Sequence, residues 1–159
     1  MIKKKLTLIS ILILISLVLI SAFIIEFALG HEPCNLCVYQ RIPYFLSIFL
    51  IGLIFFVKKL EKITLLVLSL VFFISFILAF YHFGIEQGFF QESTACFTNN
   101  LQNELTKEEI LKKLKQSNIS CKNVDFRIFG LSLASINSIF SITLSVIFLK
   151  LFFNYGKNK

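Results

Sequence analysis

The chain has 159 residues, of which 57% are hydrophobic and 16% charged, and its mean hydropathy is +0.83. A water-soluble domain does not need so much apolar surface, so the composition excludes soluble enzymes and soluble binding modules and predicts an integral membrane protein. In a soluble protein the net charge of +7 would suggest nucleic acid; here the charges gather at the ends of apolar runs, and no nucleic-acid partner is expected.

Lys3, Lys4 and Lys5 precede the first apolar run, Leu6 to Gly30, which is longer than the apolar core of a signal peptide and is predicted to be a retained anchor. An outer segment over 31–41 leads to the second run, Ile42 to Val57. That run is short for a span unless Cys34 to Arg41 extends it as helix. Lys58, Lys59 and Lys62 separate it from the third run, Ile63 to Phe83. The polar stretch from Gly84 to Arg127 carries six basic and six acidic residues; after it come the fourth run, Ile128 to Phe153, and then Lys157 and Lys159. The predicted fold is an all-α membrane protein, a single domain of four transmembrane helices. The positive-inside rule puts both termini and the Lys58–Lys62 link in the cytoplasm, and the 31–41 and 84–127 segments outside.

This topology puts Cys34, Cys37, Cys96 and Cys121 on the external face, where disulfides persist in a bacterial-type cell. In PCNLCVYQR the second cysteine is followed by Val38, so haem attachment, which needs a histidine there, is excluded. Pro33 suits a first helical turn, with Cys34 and Cys37 following where free N–H groups and the helix dipole favour thiolate. Continued helix would align Cys34, Cys37 and Arg41 on one face, and Pro43 should kink the segment. Arg41 near the lipid boundary needs a partner or the interface, and it suits a carbonyl-bearing ligand.

PCNLCVYQRIP resembles the signature of the DsbB family of membrane thiol:quinone oxidoreductases. YHFGIEQGFF ahead of Cys96, and DFRIFGLSLASIN after Cys121, are similar to that family's second external loop and the start of its fourth helix. The resemblance implies an enzyme of the bacterial inner membrane that reoxidises a periplasmic DsbA-like thioredoxin-fold donor and passes the electrons to ubiquinone or menaquinone. It further implies that Cys96 and Cys121 meet the donor, with Cys96 forming the mixed disulfide. Cys34 and Cys37 would lie beside quinone, Arg41 would hold it, and His82 would be a hydrogen-bond donor near it.

Other features have plainer readings. TKEEILKKLKQ predicts a short helix capped by Thr106 and Glu109, resting on the membrane or on a partner. The serines from Ser132 to Ser145 recur at helical spacing and predict close helix packing, with Asn137 among them. Glu26 stands at the outer end of the first run, within reach of Arg41 if the two helices meet. Two other classes of protein compete: a four-thiolate metal protein, against which the long Cys96–Cys121 interval argues, and a structural subunit with inert disulfides. Relatives of vitamin K epoxide reductase place their loop cysteines before the Cys-x-x-Cys, the reverse of the order here.

Overall fold

The computed structural model describes residues 2–31, 33–91, 96, 121, 127–128 and 130–155. Its helices are α1 (Ile2–Phe27), the short α2 (Asn35–Tyr39), α3 (Ile42–Phe56), α4 (Glu61–Glu86) and α5 (Leu133–Tyr155), with a 3₁₀ turn at Lys58–Leu60 between α3 and α4. Four helical segments are long and apolar enough to cross a bilayer: Lys5–Phe27, Asn35–Phe56, Lys58–Glu86 and Leu133–Tyr155. The protein is a four-helix membrane bundle, and the short second run does gain its length from the cysteine segment.

The outward faces are as apolar as the core. Phe49, Ile74 and Ile139 are exposed at 69%, 56% and 61%, the arrangement expected where lipid is the solvent. Inside, Leu8, Ile11, Ile15 and Leu19 form one seam of α1, their spacing of three and four residues keeping them on one face. They join Tyr44 and Ile51 of α3, Phe72 of α4 and Phe148 of α5. The Phe72 and Phe148 rings stack at 5.7 Å, and Tyr44 meets Phe72 edge-on at the same separation.

The most extensive interface is between α4 and α5, and serines make it close. The Ser69 hydroxyl donates to the Ser145 carbonyl at 3.0 Å, Ser145 returns the bond to the Ser69 carbonyl at 2.9 Å, and Ser75 meets Ser141 at 3.1 Å. Small side chains let the backbones approach, and each buried hydroxyl finds a partner. The Lys62 ammonium lies 5.4 Å over the Phe152 ring, so the start of α4 and the end of α5 share the bundle end remote from the cysteines.

The element boundaries correct several sequence expectations. Pro33 is not in a first helical turn: Cys34 is the N-cap, and the helix starts at Asn35. The chain breaks at Gln40–Arg41, one turn ahead of Pro43, which then sits in the first turn of α3 where its missing N–H costs nothing. The first span ends at Phe27 rather than Gly30, a glycine with φ +71°. The fourth begins at Leu133, because Gly130, at φ +82°, turns an antiparallel pair of Arg127–Ile128 with Leu131–Ser132. Ser132 then caps α5, its hydroxyl accepting the Ser135 N–H at 3.2 Å. Helix α4 runs on to Glu86, three residues past the apolar run. The helix expected around Thr106–Gln116 lies outside the described residues.

Candidate functional site

All four cysteines converge at the end of the bundle where α2 begins and α4 ends. Cys34, Leu36, Ile85, Cys96 and Cys121 form one buried cluster, with Cys37 and Tyr81 against it. Cys96 and Cys121 form a disulfide across 25 residues, and both are buried, at 3% and 2% exposure. Burial of this pair is unexpected for sulfurs read as the contact point for a soluble donor. Cys34 and Cys37 carry free thiols, Cys34 buried and Cys37 partly open.

Cys34 owes its setting to the start of α2. As N-cap it accepts the Cys37 N–H on its sulfur at 3.3 Å, and the two sulfurs are 2.9 Å apart. From α4, His82 brings its Nε2 to 3.6 Å from the same sulfur. The hydrogen bond from the Cys37 thiol outweighs the desolvation that opposes it. Together with His82 it holds the Cys34 thiol well below its ordinary range. A lowered pKa means that thiolate persists below the pH at which a free thiol loses it. The midpoint of Cys34 alkylation against pH should therefore lie at least about one unit under the ~8.5 of an unperturbed cysteine. A midpoint at or above that value contradicts this geometry.

The ligand atoms of Cys34, His82 and Cys121 all lie within 4.8 Å of one another. Two soft sulfurs and an imidazole are a donor set for a thiophilic cation, but the Cys121 sulfur is already bonded to Cys96. The same closeness puts one sulfur of the loop pair beside one sulfur of the membrane pair, the juxtaposition that thiol–disulfide exchange requires.

Arg41 does not extend the line of the cysteines along one helix, because the backbone breaks at its position. It pairs instead with Glu26 of α1 and lies 5.0 Å over the Phe23 ring. The two partners keep 16% and 22% side-chain exposure. A guanidinium at the lipid boundary is thus neutralised by an anion and an aromatic face.

Three side chains of the site were not singled out as functional from the sequence. Gln40, 6% exposed, stands at 3.0 Å from His82 Nδ1. Asn137 of α5 donates to the Gln40 carbonyl at 2.6 Å, while its own carbonyl accepts the Tyr44 and Ser141 hydroxyls. Glu86, one turn beyond His82, reaches to 3.7 Å from Nε2, and its second carboxylate oxygen is buried without a hydrogen-bond partner among the described residues. The four-residue spacing of His82 and Glu86 was a usable signal. Gln40 and Asn137 gave none, since their meeting depends on the rotation of three helices.

The profile of the family described as "Disulfide bond formation protein DsbB" matches residues 4–151. An uncharacterised protein of Rickettsia prowazekii (strain Madrid E) is 32% identical over 151 residues, covering 93% of this chain and 87% of the relative. No solved structure matches. With nearly the whole chain matched and four cysteines gathered at one end of a four-helix membrane bundle, the protein belongs to the DsbB family of disulfide-forming membrane oxidoreductases.

Proposed function

We propose that the protein reoxidises a DsbA-like thioredoxin-fold donor on the outer face of a bacterial inner membrane and delivers the electrons to quinone. The observation that carries the reading is the closeness of Cys121 to Cys34 within one buried cluster that holds both cysteine pairs. A thiolate of the donor attacks Cys96, forming a mixed disulfide and releasing Cys121 as thiolate. With the membrane pair oxidised, Cys121 attacks Cys34 and releases Cys37. The donor's second thiol resolves the mixed disulfide, the freed Cys96 thiolate attacks Cys121 to restore the loop disulfide and release Cys34, and the Cys34–Cys37 dithiol gives up two electrons and two protons as its own disulfide re-forms, so that one donor dithiol is oxidised per cycle. Because Cys96 is buried, the donor must uncover it, so docking and local opening are coupled.

The residues around Cys37 fit a quinone. Cys37 is the less buried thiol of its pair. Val38, Tyr39 and Ile42, exposed at 44%, 51% and 56%, open that side toward lipid. Arg41 offers N–H donors for a carbonyl oxygen, and Cys37 offers the sulfur. Bound there, a quinone supplies the two-electron acceptor. What the chain contributes is the cation that orients it and the thiolate released beside it.

The cytoplasmic placement of both termini is part of this reading, supported by the lysines at the bundle end remote from the sulfurs. The test is to trap the complex with a donor whose second cysteine is replaced by alanine, and to map its disulfides. The proposal expects donor–Cys96 and Cys34–Cys121 linkages together. Cys121 recovered as a free thiol, or still joined to Cys96, would refute it.

A further inference from the structure

The polar groups behind Cys34 form a chain whose donors all point one way. The hydroxyls of Tyr44 and Ser141 donate to Asn137 Oδ1, the Asn137 amide donates to Gln40 Oε1 at 2.6 Å, and the Gln40 amide faces His82 Nδ1 at 3.0 Å. Its members come from α3, α4, α5 and the break between α2 and α3. Tyr44 is 3% exposed, and a buried phenol requires an acceptor. Asn137 Oδ1 serves as that acceptor, its amide is turned toward Gln40 and, in turn, the Gln40 amide toward the imidazole. A ring nitrogen that receives an N–H holds a lone pair, so the His82 proton is on the other nitrogen. That nitrogen, Nε2, faces the Cys34 sulfur at 3.6 Å and the Glu86 carboxylate at 3.7 Å, and both are acceptors.

We propose that Gln40 and Asn137 are positioning residues that fix the tautomer of His82, so that the ring meets Cys34 as a hydrogen-bond donor to thiolate and not as a base that takes its proton. The geometry stands alone; the consequence for turnover rests on the thiol relay proposed above. In that relay Cys34 both receives and releases sulfur partners, and a leaving sulfur departs faster when its thiolate is stabilised. A histidine locked as donor provides this at every pass without itself changing charge. The titratable and charged groups around the ring are Cys34 and Glu86, with Arg127 beyond Glu86, and the Cys121 backbone also bonds to the ring. At Nδ1 stands the Gln40 amide, 3.0 Å away.

The chain has two histidines, His31 and His82, so ¹⁵N-histidine labelling of the full-length protein in detergent micelles, with Cys34 and Cys37 reduced, yields an assignable spectrum. The expected result is a protonated Nε2 and an unprotonated Nδ1 on His82. In Gln40→Met, which keeps the side-chain length and removes the amide, the midpoint of Cys34 alkylation, resolved by tandem mass spectrometry, should rise by about half a pH unit, roughly threefold less thiolate below the midpoint. A proton on Nδ1 in the native protein, whether the ring is neutral or cationic, overturns the proposal, and so does a folded Gln40→Met whose midpoint does not move. Should the variant fail to fold, the native spectrum decides alone. Donor and quinone turnover, measured separately, reports on the relay: a locked Nε2–H tautomer in a protein that reduces no quinone would sink the relay and leave this inference standing.

Discussion

Cys37→Ser is expected to abolish steady-state quinone reduction, with a loss of about 10³-fold or more, as for removal of one member of a group that acts as a unit. The reason lies in the position of its sulfur. Cys37 is the partly open thiol of its pair, while Cys34 is buried near Cys121, so in the proposed relay electrons that arrive through Cys34 have no other sulfur by which to leave. The same variant retains the Cys96–Cys121 disulfide, and one equivalent of reduced donor should still be oxidised in a single turnover. Cys34→Ser should be equally inactive in turnover, and in it a trapped donor complex should show a free Cys121. Rapid-quench thiol trapping separates the two phases. Unaltered turnover in either variant would refute the assigned order of sulfurs, and loss of the single-turnover phase would mean that the loop pair depends on the membrane pair for its own chemistry.

Arg41 should show a different signature. Replacing it with alanine removes one charge-assisted hydrogen bond to a carbonyl, worth about 1.5–3 kcal/mol, so the KM for quinone should rise by about tenfold or more with the KM for the donor unchanged. The pairing with Glu26 makes a second comparison informative. Glu26→Ala leaves the guanidinium at the lipid boundary beside Phe23 without its anion. Both side chains keep some exposure, so the destabilisation should be about 1–3 kcal/mol, below the 3–5 of a fully buried broken pair. If Arg41→Ala changes donor affinity and leaves quinone affinity intact, the cation belongs to the docking surface, and the account of the quinone site is wrong.

How much of this was legible in the sequence follows from the range of the forces involved. Hydropathy and lysine placement act along the chain, and they predicted the four spans that the helices show. The prospect that Cys34 to Arg41 lengthens the second span was also readable, because only an added helical turn or two lets so short a run cross a bilayer. Where single residues decide, the reading slipped by a turn: Cys34 displaced Pro33 from the helix because its own side chain makes the cap, and Gly130 delayed α5 through a positive φ that an apolar pattern does not reveal. The serines of α5 announced a close approach by their spacing, and they do face α4.

The site divided along the same line. Its sulfurs were visible because cysteine is chemically distinctive and because topology sends every one of them to the same side. Their nearest neighbours were less visible. His82, expected to serve as a hydrogen-bond donor, stands against Cys34, and Arg41, expected in line with the cysteines, is set off that line by the backbone break and pairs with Glu26, which its place at the end of the first run had allowed. Gln40 and Asn137 are ordinary amides until three helices are assembled around them. That the loop pair is buried was equally beyond reach, since it depends on how the end of the bundle is closed over Ile85 and Leu36.

The central claim is that electrons leave a soluble dithiol through these four sulfurs and arrive on a lipid-dissolved acceptor. Anaerobic mixing of the purified protein, ubiquinone or menaquinone and a reduced DsbA-like donor, followed by quinone absorbance, tests it most directly. The account predicts loss of one quinone for each donor disulfide formed. Quinone absorbance that stays flat while the donor is oxidised, or a donor left reduced in the presence of either quinone, would contradict it.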